Sequence, residues 1–131
     1  MKKFSFLYAA LITVAILAVA HLIAEALYLY WTLWWFDYLT HFLGGFSLGF
    51  FSFYVFYESG LFGGRISLSK SILFSFILVM LLGGVWEVFE YANGLTQSAE
   101  EYSLDVVHDF LSDALGAITA LWLSKLFLKF S

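Results

Sequence analysis

Apolar residues run along this chain in four long blocks, at about residues 4–30, 36–57, 69–91 and 104–127, separated by short polar or glycine-containing breaks. A helix rising about 1.5 Å per residue needs roughly 20 mainly apolar residues to cross a hydrocarbon core of about 30 Å. Each block meets that length. The breaks read "WTLWW", then "ESGLFGGRISLSK", whose glycines interrupt helices, then "NGLTQSAEEYS", with an Asn-Gly turn signal. No longer linker is visible. The pattern predicts an all-α, polytopic membrane protein: four transmembrane helices in a bundle, forming a single domain over residues 1–131.

Composition sharpens this picture. The chain is 63% hydrophobic, 22% aromatic and only 12% charged, with a mean hydropathy of +0.90, outside the balance of soluble domains. It has no cysteine and no proline, so a metal would be held by oxygen and imidazole ligands rather than thiolates. No basic stripe for nucleic acid is present, and no nucleotide or haem motif.

The six basic residues give one orientation. Lys2 and Lys3 precede the first span, Arg65 and Lys70 lie between the second and third, and Lys125 and Lys129 close the fourth. The positive-inside rule then places both termini and the middle loop in the cytoplasm, in a multi-pass protein of the cytoplasmic membrane. The aromatic run from Tyr28 to Tyr38 falls at the outer interface, where amphipathic rings partition. Residues 1–20, with two lysines, an apolar run and Ala18-Val19-Ala20, also fit a cleaved signal. The apolar run to Tyr30 exceeds an h-region of about 7 to 15 residues, which favours a span. Cleavage would leave three spans in the same orientation.

In this topology nine of the ten acids fall in the outer half, as do all three histidines; Glu58 alone is cytoplasmic. At about 100° per helical residue, His21 and Glu25 share a face of the first span and Asp37 and His41 a face of the second. Glu87 and Glu90 share a face of the third, and Asp105, Asp109 and Asp113 form a stripe on the fourth. An ionised side chain deep in a span costs about 2.5 to 3.5 kcal/mol on insertion scales, so such groups face a bundle interior or an aqueous cavity. Four inward polar stripes predict one outward-opening pocket, reaching on the order of 12 Å from Asp105 to Asp113. Gly44, Gly45, Gly83, Ser112 and Gly116 lie near these faces, and small residues let helices approach closely in lipid. The glycines of "HFLGGFSLG" therefore read as packing rather than as a phosphate loop, because no strand precedes them.

Several of these residues have simpler explanations. Asp105 and Asp37 also suit the positive N-terminus of their helices. Glu100 and Glu101 read as solvated loop charges, with Ser98 and Glu101 compatible with a capping box. His108 lies off the aspartate stripe and reads as an interfacial side chain. His21 and Glu25 also fit a hydrogen bond between turns. Asp109, Asp113, His41 and Glu87 lie a turn or more inside the boundary, where capping does not account for them.

Five or more carboxylates crowded in a low-dielectric pocket need protons or cations between them. Carboxylate and imidazole ligands from facing helices are how di-metal carboxylate sites are assembled in four-helix bundles, and the set suits a divalent ion of several kinds. A bound metal would activate water against a lipid-borne phosphate or ester. The Glu-x-x-His and His-Glu-x-x-His signatures are absent.

"FDYLTHFLGGFSLG", "WEVFEY" and "LDVVHDFLSDALGA" resemble the pattern of the VanZ-like membrane proteins and their YjdF-type relatives. That pattern has Asp-x-x-x-His opening one span, Glu ending another, and Asp-x-x-x-Asp or Asp-x-x-x-Asn leading into Gly-Ala. The resemblance covers most of the last three spans, while the first is matched only by hydropathy. It implies that Asp37, His41, Glu87, Asp109 and Asp113 are the site positions, and its namesake is tied to glycopeptide antibiotic resistance. Two departures stand out: Glu87 and Glu90 occur where Glu-x-x-Gln is frequent, and the arginine usual before the last Asp motif is missing.

The resulting expectation is a VanZ-like membrane protein with an acidic, histidine-containing pocket that binds a divalent metal and binds or acts on an envelope lipid or its headgroup. Asp37, His41, Glu87, Asp109 and Asp113 would be metal ligands, with Asp109 and Glu87 the candidate catalytic groups. Glu90, Glu25 and His21 would support them. Membrane lipids are the expected partners, nucleic acid is not, and self-association into a homo-oligomer stays open. Two rivals remain: a proton or cation pathway subunit, and a structural or partner-binding protein whose acids are interhelical polar contacts. Against the first, "SILFSFILVM" and "ITALWLSKLF" continue no polar path. Against the second, polar contacts in one measured membrane protein average only about 0.6 kcal/mol.

Overall fold

The computed structural model of the protein describes residues 5–95 and 101–131. Lys2, Lys3, Ser98 and Glu100 lie outside them, and with them the proposed capping box. The described residues are helical, without strands. The elements are α1 (Phe6–Leu27), a single turn α2 (Leu29–Thr32), α3 (Phe36–Phe53) continuing into a π-helical turn (Tyr54–Glu58), α4 (Leu68–Asn93) and α5 (Tyr102–Phe130). Four stretches, Phe6–Leu27, Phe36–Glu58, Leu68–Asn93 and Tyr102–Phe130, are long and apolar enough to cross a membrane, and they pack together.

Local chemistry fixes the ends. Ser5 opens α1, its Oγ accepting from the Leu7 N–H at 3.3 Å, and the Glu58 carboxylate accepts from the Phe6 N–H at 3.0 Å. These two oxygens meet donors that a helix leaves unpaired at its start. The first helix ends three residues before the expected Tyr30 because Tyr28 takes a left-handed conformation, φ 55°. The chain then forms α2 and tucks Tyr30 against Ala24 and Phe36. At the far end of α3 the ladder slips from i→i+4 to i→i+5, with the Ser59 N–H on the Tyr54 carbonyl at 2.8 Å; nothing in the apolar pattern announces this. The Asn-Gly turn ends α4 as expected, Gly94 adopting φ 64° with its N–H on the Glu90 and Tyr91 carbonyls.

The central pair is α3 and α5, with α1 packed on α3 and α4 packed on both. The small residues are what bring α3 and α5 together. A Cβ on Gly45 would fall on the Asp113 carbonyl oxygen, and one on Gly116 on the Phe42 carbonyl oxygen. A Cβ on Gly49 would come within 2.8 Å of the Ala120 Cβ. In lipid, where apolar side chains gain little by leaving the solvent, such close backbone approach is a main source of helix association. Beyond it, Phe6, Ala10, Phe50, Phe53, Ala120 and Leu121 form an apolar core. That core lies at the Glu58 end of the bundle, whereas the acids of α3, α4 and α5 gather at the other.

Candidate functional site

The site is built from the first turns of α3 and α5 and the last turns of α4. Asp37 and His41 are one turn apart, so both point the same way from α3. Their opposing face is the α5 stripe of Asp105, Asp109 and Asp113, all three buried. From α4 come Glu87, 6% exposed, and Glu90, half-buried.

His41 is the hub. Its Nε2 lies 3.8 Å from Asp37 Oδ1 and 3.5 Å from Asp109 Oδ2, and its Nδ1 lies 3.3 Å from Asp113 Oδ1. Both ring nitrogens thus face carboxylate oxygens, so the ring bridges them either as donor on both sides or with a cation on one nitrogen. Gly83 makes room for this arrangement: a Cβ there would stand 2.7 Å from Asp113 Oδ2.

Around that hub, ligand atoms converge in two overlapping groups. One each from His41, Glu87, Glu90 and Asp109 lie within 4.8 Å of one another, as do one each from Asp37, Asp105 and Asp109. Asp109, only 1% exposed, belongs to both. Three buried carboxylate oxygens in this cluster, Glu87 Oε1, Asp105 Oδ1 and Asp109 Oδ1, have no hydrogen-bond partner among the described residues. A buried polar atom without a partner costs about 1 to 3 kcal/mol, more when charged, and native structures tolerate few of them. The four described basic residues, Arg65, Lys70, Lys125 and Lys129, all lie toward the opposite end of the bundle. The cluster therefore holds acceptors in excess of donors.

The structure brings Asp37, His41, Glu87, Glu90, Asp109 and Asp113 together. Glu25 and His21 belong to neither ligand group and are exposed on α1; His21 lines the same cavity as Asp37, His41 and Glu90, with its Nδ1 2.8 Å from the Tyr30 hydroxyl. His108 sits off the stripe, its Nδ1 3.1 Å from the Tyr38 hydroxyl. Asp105 joins the cluster although the sequence leaves it divided between cap and ligand. Its place on the i, i+4 stripe was the signal, and its buried, unpartnered oxygen and the start of α5 at Tyr102 put it beyond a capping position.

Instead of only opening at the membrane surface, the site continues into a cavity of about 860 Å³ that runs between α1 and α4 over α3. His21, Asp37, Thr40, His41, Glu90 and Asp113 line one end of it, and mostly apolar side chains line the rest.

No curated protein and no solved structure matches the chain. A match to one protein family extends along residues 1–130, covering all four spans and every residue of the cluster. The chain belongs to the family described as predicted membrane protein (DUF2238).

Proposed function

We propose that the protein binds a divalent cation in the cluster centred on His41 and uses it to bind or act on the headgroup of an envelope lipid, as its resemblance to VanZ-like proteins also suggests. The observation that carries this reading is the set of buried, unpartnered oxygens on Glu87, Asp105 and Asp109. Glu87 and Asp109 converge with His41 and Glu90, and Asp105 converges with Asp37 and Asp109. A cation is the economical partner for them, since it answers several carboxylate oxygens and one imidazole nitrogen at once. Because Asp109 is common to both ligand groups, its two oxygens suit a bridge between two ions, as carboxylates do in di-metal sites built inside four-helix bundles.

His41 with Glu87, Glu90 and Asp109 forms one ligand set, and Asp37 with Asp105 and Asp109 the other. Asp113 orients the His41 ring through Nδ1, the kind of supporting contact that fixes a metal-bound imidazole. A cation there would supply Lewis acidity toward a phosphate or ester oxygen, with a neighbouring carboxylate as proton acceptor. Close packing of α3 on α5 at Gly45, Gly49 and Gly116 seals that helix interface beyond Asp113. This supports a site closed on one side over a conducting pathway.

The test is metal content by elemental analysis on protein purified in detergent without chelator, beside His41→Ala and Asp109→Asn. Stoichiometric metal in the wild type, lost in both variants while helicity is retained, is the expected result. A wild type that carries no metal and takes none up on dialysis would overturn the reading.

A further inference from the structure

The cavity beside the cluster has the polarity of a lipid. Its polar end is formed by His21, Asp37, Thr40, His41, Glu90 and Asp113, and its walls continue through Val14 and Leu17 of α1 and Leu82 of α4, with Leu48 on the floor. Along α3 the lining extends from Asp37 to Phe51, about 21 Å at 1.5 Å per residue. That is more than half of a hydrocarbon core about 30 Å thick, hence the depth of one leaflet. Gly44 keeps the floor low: a Cβ there would meet nothing nearer than Leu17 Cδ2 at 4.0 Å. The groove is also open sideways, since Leu11, Val14 and Val85 on its rims are 53%, 46% and 65% exposed. In a membrane those rims face acyl chains rather than water.

We propose that this groove seats one hydrocarbon chain of a phosphate-bearing lipid, which enters sideways between α1 and α4 and presents its phosphate to the His41 end. The proposal rests on the cation reading, because a cluster made of carboxylates repels a phosphate unless a cation stands between them. Hard divalent ions held by a few carboxylates characteristically complete their coordination with phosphate oxygens. The position of the groove fixes the chain, and the chemistry of the cluster selects the headgroup.

The experiment uses the full chain in phosphatidylcholine vesicles containing a small fraction of phosphatidic acid with a diazirine near the end of one acyl chain. Irradiation is carried out with added Mn²⁺ or with EDTA, and labelled peptides are mapped. Labelling concentrated on Val14, Leu17, Leu48 and Leu82, falling about tenfold with EDTA, is expected. Gly44→Leu with Leu48→Trp fills the groove and should reduce labelling similarly while leaving metal content at the wild-type level. Leu111→Trp, on an exposed position of α5, should change neither. Label spread evenly over the exposed faces, or the same labelling from a photoactivatable phosphatidylcholine, overturns the proposal. If the wild type holds metal and still shows either pattern, only the lipid inference fails. Selective phosphatidic acid labelling that ignores EDTA, on protein without metal, instead removes the cation reading and the bridging step with it.

Discussion

Glu58 and Asp109 are both carboxylates in helices that cross the membrane, and the fold treats them in opposite ways. Glu58 stands exposed at the end of its span, yet its oxygen has a donor, the first backbone N–H of α1. Asp109 is 1% exposed, where a missing partner costs most, and its Oδ1 has none among the described residues. A carboxylate kept for structure is paired where it sits. One that is buried, crowded by other acids and left with an oxygen lacking a donor needs a proton or a cation to offset its charge. The same contrast divides the two ends of the bundle: phenylalanines and alanines pack at one, whereas acceptors outnumber donors at the other.

The largest effect expected from this contrast is on stability with and without metal. A ligand present at about 1,000 times its Kd stabilises the folded state by about 4 kcal/mol. Thermal unfolding of the detergent-solubilised wild type should therefore shift upward by many degrees when the divalent ion is restored. Asp109→Asn should abolish the shift, and in metal-free protein it should cost little, because the amide oxygen can still meet His41 Nε2 and the change relieves repulsion from the neighbouring Asp37, Asp105 and Glu87 carboxylates. If metal-free Asp109→Asn is instead far less stable than metal-free wild type, Asp109 is a structural group like Glu58 and the contrast collapses.

A smaller effect follows from Gly83. The Cβ of Gly83→Ala would crowd Asp113 Oδ2, the end of a side chain that can move, so the helices need not part. Its displacement would release the Nδ1 side of His41. Loss of such orienting contacts lowers metal affinity by about 10- to 100-fold, which titration by isothermal calorimetry would read. Unchanged affinity would mean that Asp113 belongs to the packing rather than to the ligand field.

Much of this was legible in the sequence, for identifiable reasons. Four spans follow from block length alone, and the i, i+4 spacing of Asp37 with His41 and of Asp105, Asp109 and Asp113 fixes which face each acid takes. The glycines were readable as packing because no phosphate-loop context surrounds them, and Gly45 and Gly116 do sit at backbone contacts. Helical angles place residues on a face but do not say how far a helix stands from its neighbours. His21 of α1 does line the cavity with Asp37, His41 and Glu90, but it pairs with Tyr30 and lies in neither ligand group, a distance that spacing does not give. The same missing distance hid the groove, which exists because α1 and α4 both pack on α3. Tyr28, at φ 55°, and the π-helical turn at Tyr54–Glu58 are local departures that hydrophobic periodicity does not encode.

The smallest expected effect tests the other side of the contrast. Glu58→Gln keeps an acceptor for the Phe6 N–H and removes only the charge facing the N-terminus of α1. A charge at that position contributes about 0.3 to 1 kcal/mol where it is exposed, and Ser5 still caps the Leu7 N–H. Unfolding of the detergent-solubilised protein should move by no more than that amount, and metal stoichiometry should not move. The substitution is chemically the twin of Asp109→Asn, one carboxylate becoming one amide. A loss of metal in both variants would show that amide substitution disturbs the bundle generally and carries no information about ligands. Loss in Asp109→Asn alone ties the metal to the end of the bundle where the acceptors have no donors.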